Sequence, residues 1–116
     1  MAENLKYDNE NSWVEIQGNT AVIGVTKSAA KKVKEFVLIE ITEKGREIKK
    51  GDTYASVEAV KWSGHFSSPL SGKITEINES LIDEPSKINK DPYSSWIVKI
   101  EMSNKEEIKE LSDTEK

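Results

Sequence analysis

The sequence predicts a mainly β fold: a flattened barrel or sandwich of short strands, with one short helix in the N-terminal half and a second helix at the C-terminal end. Three observations predict it. Apolar and polar residues alternate with period two over several short stretches, and turn-forming residues punctuate those stretches at regular intervals. A single alanine- and lysine-rich run early in the chain breaks the alternation.

Trp13 to Gln17 and Thr20 to Val25 read as two strands joined by Gly18-Asn19, a pair suited to a tight hairpin because both residue types tolerate positive φ. Thr26 then offers a side-chain oxygen to cap a helix over Lys27 to Lys34. Phe36 to Ile41, rich in β-branched and apolar residues, is expected to be a well-buried strand, and Glu43-Lys44-Gly45 a turn. From Thr53 onward, Thr53, Ala55, Val57 and Ala59 fall on one face and Tyr54, Ser56, Glu58 and Val60 on the other. Continuing that strand would bury Lys61, and an unpaired ammonium is costly to bury. The strand is therefore expected to end near Val60, with Lys61 at or beside the apex of a reversal. Pro69 and Gly72 bracket a second turn before a strand over Lys73 to Ile77. Trp96, Val98, Ile100 and Met102 alternate with Ile97, Lys99 and Glu101, as in a strand with one buried face, and a polar helix capped at Ser103 is expected over Asn104 to Leu111. Trp13 and Trp96 are assigned to the core.

Composition narrows the function classes. At 116 residues the chain fits a single domain, 1–116, without an internal linker. Its formal net charge is −4, with acids and bases interleaved and no basic stripe standing out, which argues against nucleic acid or an anionic membrane as partner. There is no cysteine, so disulfides, zinc thiolates and cysteine nucleophiles are excluded. The opening residues lack a basic start followed by an apolar core, and the chain reads as cytoplasmic. His65 is the single histidine and is read as a solvated turn residue; the acidic residues Glu79, Asp83, Glu84 and Asp91 lack the spacing of a calcium loop. No nucleophile-base pair or phosphate-cradling glycine loop is visible, so the chain is expected not to be an enzyme.

The most specific feature is the setting of Lys61, one of sixteen lysines, ten residues after Gly51 and eleven before Gly72. With that frame come, in order, Trp13-Val14, Ala21-Val22-Ile23-Gly24-Val25-Thr26, Val57-Glu58-Ala59-Val60-Lys61, Ser68-Pro69-Leu70-Ser71-Gly72-Lys73-Ile74, Ile77-Asn78-Glu79, Pro85, Ile88-Asn89-Lys90-Asp91-Pro92-Tyr93 and Trp96. In order and spacing this set resembles the glycine cleavage system H protein family over roughly Tyr7 to Met102. The resemblance implies a barrel-sandwich hybrid of the lipoyl-biotinyl type and a non-catalytic carrier. It implies lipoic acid in amide linkage on Lys61, attached by a lipoate ligase or lipoyl transferase. It also implies an arm that shuttles an aminomethyl group and reducing equivalents between glycine decarboxylase, aminomethyltransferase and dihydrolipoyl dehydrogenase. Glu58, Val60 and Trp62 are the candidate recognition residues of the hairpin. For Glu58, guidance of the modifying ligase and an ordinary solvent-facing carboxylate stand open side by side.

The chain departs from the family pattern at several positions. Trp62 follows the lysine where a small residue, commonly alanine, is usual; Asn11-Ser12-Trp13 replaces His-Glu-Trp; Lys34 stands at the usual glycine; and Thr42-Glu43-Lys44 lacks the frequent proline. The tail is shorter and more charged. These departures keep two alternatives open: a lipoate-binding protein of another pathway, such as one serving a heterodisulfide-reductase-like complex in sulfur oxidation, and a non-lipoylated scaffold. Biotin carriage fits less well, since biotinyl lysines usually lie between two methionines and Lys61 lies between Val60 and Trp62. A monomer is expected.

Overall fold

The computed structural model describes residues 5–8, 11–60 and 62–113. Their strands are β1 (Leu5–Tyr7), β2 (Ser12–Gln17), β3 (Thr20–Val25), β4 (Phe36–Ile41), β5 (Glu47–Ile48), β6 (Thr53–Ala59), β7 (Ser63–Ser67), β8 (Gly72–Ile77) and β9 (Val98–Met102). Helices α1 (Lys27–Val33), α2 (Ser80–Asp83) and α3 (Lys87–Lys90) and a 3-10 helix (Lys105–Glu110) complete the described elements. The strands form two antiparallel sheets, one of six in the order β1-β2-β3-β9-β8-β5 and one of three in the order β4-β6-β7. The sheets do not close on one another, so the fold is the sandwich alternative rather than the barrel.

One core lies between the sheets, drawing Val14, Ile23, Ile74 and Ile100 from the larger and Ile39, Val57 and Phe66 from the smaller. A buried polar contact also joins them. The Ser12 hydroxyl of β2 lies 2.7 Å from the hydroxyl of Tyr54 on β6, and Tyr54 has no exposed surface. Burial pushes the Tyr54 phenol well above its ordinary ionisation range, and the bond to Ser12 offsets part of that shift.

The Gly18-Asn19 hairpin forms as predicted, pairing Gln17 with Thr20. Helix α1 is capped by Thr26, whose hydroxyl oxygen accepts from the Ala29 N–H at 3.2 Å. It ends at Lys34, where φ is +71°. The Asn89 side chain holds that reversal from both sides, its amide nitrogen donating to the Lys34 carbonyl and its oxygen accepting from the Phe36 N–H at 3.1 Å. A left-handed lysine is therefore tolerated because α3 supplies a clamp.

Several expectations are corrected. Phe36 to Ile41 does form a strand, but Val37 is 56% and Leu38 44% exposed. β4 is an edge strand, and a register shift between Phe36 and Leu38 turns side chains outward. Alternation puts Tyr54 on the outer face, yet it is buried, because the β6–β7 register shifts between Thr53 and Ala55. β9 begins at Val98, which leaves Trp96 half-buried outside the strand with the Lys99 ammonium 4.8 Å from its ring centroid; Ile97 takes the core position. The C-terminal helix is 3-10 rather than α, and Asn104 caps it by accepting from the Glu106 N–H at 3.1 Å. Short β1, β5, α2 and α3 carry no pattern that announces them in the sequence. Among the described residues no helix is long and apolar enough to cross a membrane.

Candidate functional site

The β6–β7 hairpin positions the candidate site. Its register pairs Ser56 with His65, Val57 with Gly64 and Glu58 with Ser63, so the chain reverses between Glu58 and Ser63. The Ala59 N–H closes that reversal by donating to the Trp62 carbonyl at 2.7 Å. Lys61 itself lies outside the described residues. Its flanking residues are described and both reach solvent, Val60 with 66% and Trp62 with 39% of its surface exposed.

Parity separates the two faces of the hairpin. Ala55 and Val57 of β6 and Phe66 of β7 point into the core. Trp62 follows that inward parity: its ring stacks on Phe66 with centroids 6.1 Å apart and planes at 28°. It also lies against Gly64, where a Cβ would come within 2.7 Å of the indole. The ring thus covers Gly64 and Phe66 beside the reversal. Glu58 points outward and is exposed, with Leu38 and Ser63 as its cross-strand partners. Its carboxylate makes no ion pair or hydrogen bond with a described residue. His65 is exposed on the outer face, away from the Trp62 stack, and no group of histidine and carboxylate side chains among the described residues could hold a metal ion.

The hairpin brings Val60 and Trp62 to the two sides of position 61 and leaves Glu58 on the outer face. Sequence reading missed Gly64 and Phe66, the seat of the Trp62 ring. The signal was present in the spacing of positions 62, 64 and 66, which share one strand face.

With this geometry in place, similarity to known proteins is informative. The family model for the glycine cleavage H-protein matches residues 5–116. The chain belongs to the glycine cleavage H-protein family. Among similar curated proteins are two glycine cleavage system H proteins of Clostridium botulinum. That of strain Hall is 44% identical and that of strain Loch Maree 42% identical, each over 111 residues covering 96% of this chain and 85% of the relative. The crystal structure of a glycine cleavage system H protein from Mycobacterium marinum superposes with a TM-score of 0.85 at 24% identity. That match covers 97% of this chain and 91% of the other and establishes the fold.

The H-protein family consists of non-catalytic lipoyl carriers. The residues around position 61 suit such a group. A reversal lies at the end of an antiparallel pair, with an exposed valine at position 60 and a half-exposed indole at position 62. Helix α1, by contrast, collects lysines that lie apart in the linear sequence. Lys27, Lys31 and Lys34 line one groove together with Lys90.

Proposed function

We propose that the chain is a lipoyl carrier of the glycine cleavage system, with lipoic acid attached in amide linkage to Lys61. The observation that carries this reading is the reversal between Glu58 and Ser63, set in a chain that matches the H-protein family over residues 5–116. In this reading the protein is a cytoplasmic monomer forming one domain over residues 1–116. It serves glycine decarboxylase, aminomethyltransferase and dihydrolipoyl dehydrogenase in turn, after modification by a lipoate ligase or lipoyl transferase. When bound, the group supplies a dithiolane that can take up an aminomethyl unit and cycle two electrons.

The chain's own residues supply presentation. A solvated lysine has a pKa of about 10.4 and is a poor nucleophile near neutral pH, so the modifying enzyme must select and activate it. The paired strands β6 and β7 fix where the chain reverses, and the exposed Val60 and Glu58 give the ligase an apolar and an anionic contact. Amide formation removes the lysine charge. The tether then raises the effective concentration of its end at each active site visited. Trp62 is the departure that speaks for service to a different complex, such as a heterodisulfide-reductase-like one. Its ring is seated on Gly64 and Phe66 of its own hairpin, which accounts for the residue without a new partner.

Intact and peptide mass spectrometry after incubation with lipoate, ATP and a lipoate ligase tests the reading. A lipoyl mass on the peptide containing Lys61, absent from Lys61→Ala, is the expected result. No addition, with a ligase that modifies a known acceptor, would sink it in favour of an unmodified scaffold.

A further inference from the structure

We propose that the lysine-lined groove between α1 and α3 docks an acidic segment on the enzymes that receive this protein's arm. The groove has a volume of about 480 Å³. Lys27 and Lys31, four residues apart, share one face of α1, Lys34 stands at its C-cap, and Lys90 comes from α3 across the gap. Ala30 and Pro92 give apolar lining, and Glu35 is the single carboxylate among the lining residues. Lys90 pairs with Glu84 at 3.3 Å, whereas Lys27, Lys31 and Lys34 make no ion pair with a described residue. In a chain of net charge −4 this is a local excess of positive charge.

The fold gains little from that excess: Lys31 in the last turn of α1 suits the helix dipole, but Lys27 at the first position opposes it. Like charges three and four residues apart on a helix repel by a few tenths of a kcal/mol per pair. A partner of opposite charge would turn the repulsion into attraction and speed encounter.

The geometry selects the occupant. A compact anion such as phosphate needs converging N–H donors, and those at the start of α1 are engaged: Ala29 with Thr26, and Lys27 with the Tyr93 hydroxyl at 3.3 Å. Lys27 and Lys31 instead follow the helix for about 6 Å, at about 1.5 Å per residue, and Lys34 extends the row past its end, a spread that suits carboxylates strung along a polypeptide. Placement ties the groove to the carrier role. Phe36, two residues after Lys34, pairs with Ala59, so the end of α1 stands beside the turn end of the β6–β7 hairpin. An enzyme closing over that hairpin meets the lysine row at its flank.

The proposal deepens the carrier reading in naming arm-receiving enzymes, and its first test is independent of lipoylation. The unmodified full chain, labelled with ¹⁵N, is titrated with hexaglutamate at low and then high salt. Shifts confined to Lys27–Glu35 and Asn89–Pro92, lost at high salt and weakened about fivefold or more by K27Q/K31Q, are expected. Shifts elsewhere, no effect of the substitutions, or tighter binding of a DNA duplex at the same residues would overturn it. With lipoylated protein and glycine decarboxylase, K27Q/K31Q should raise KM for the carrier about fivefold and leave kcat unchanged. An unchanged KM refutes the assignment to that enzyme. Mass analysis reports lipoylation separately, so loss of the carrier reading and loss of the docking proposal give different results.

Discussion

Trp13 and Trp62 each lie over a glycine of their own hairpin, and the molecule holds them in opposite ways. Trp13 covers Gly24, its direct cross-strand partner, where a Cβ would come within 2.5 Å of the indole. The ring is 3% exposed, its N–H donates to the Pro92 carbonyl at 3.0 Å, and Tyr93 tilts against it with centroids 6.2 Å apart. Trp62 covers Gly64 in much the same fashion, yet it is 39% exposed and its N–H has no partner among the described residues. An indole held by packing on both sides and by a hydrogen bond is part of the framework. One stacked on Phe66 and partly in solvent, next to position 61, has less to hold it in place.

Gly24→Ala should separate the two most sharply. Its added methyl group meets a ring with no room to move, and overpacking of this kind costs about 1–3 kcal/mol or more. Loss of the Pro92 hydrogen bond would add about 1 kcal/mol. Urea unfolding measures the sum. A change below about 1 kcal/mol would mean that the Trp13 ring can shift and that the contrast is false.

The next effect concerns the residue beside Trp13. Ser12→Ala leaves the buried Tyr54 hydroxyl without its partner, at a cost of about 1–3 kcal/mol. Tyr54 also sets a direction with pH. Its phenol ionises at about pH 10 in the unfolded chain and is held neutral well above that when folded. The folded state therefore keeps a proton that the unfolded state loses, and stability falls as pH rises beyond about 10. Ultraviolet titration should find one of the three tyrosines ionising only with unfolding, and Tyr54→Phe should flatten the alkaline loss of stability.

Lys34→Gly sharpens the comparison by acting with the opposite sign. Glycine at 24 and 64 makes space for a ring, whereas position 34 is constrained by its backbone, with φ at +71°. Relieving that conformation should stabilise the chain by about 0.5–1 kcal/mol. No gain in urea would indicate that the Asn89 clamp already absorbs the strain, and Asn89→Ala would then cost more than a lost surface bond.

The elements legible in the sequence are those set by local chemistry. Gly18-Asn19 forces a hairpin, Thr26 caps a helix, and the Thr53–Ala59 strand stops where the next residues lead into a lysine. The misreadings share a tertiary cause. Alternation says which residues share a face but not where a bulge flips it, so it puts Tyr54 outside, and the apolar content of Phe36–Ile41 puts Val37 inside, each the reverse of what the fold does. Nor does it say which strand lies at an edge, which decides the fate of Leu38. At the candidate site the reversal after Ala59 is legible from the parity of the strand leading into it, whereas the seat of Trp62 depends on what stands two and four positions further along β7. The lysine groove needs α3, too short to read, to bring Lys90 against α1.

Gly64→Ala is the smallest perturbation and the most direct test of a movable cover. The new methyl group would approach the Trp62 ring to 2.7 Å, so the ring must leave its place on Phe66. Because the ring is already partly in solvent and has no described hydrogen bond to lose, stability should fall by less than about 1 kcal/mol. Fluorescence of Trp62, isolated by Trp13→Phe and Trp96→Phe and compared with and without Gly64→Ala, should shift to the red and become easier to quench when the methyl group is present. In the proposed carrier reading, lipoylation at Lys61 should continue at a similar rate, since the register of β6 and β7 does not depend on the ring. A loss as large as that of Gly24→Ala would make Trp62 a structural tryptophan like Trp13. A fall in lipoylation with little change in stability would instead make the seated ring part of what the ligase reads.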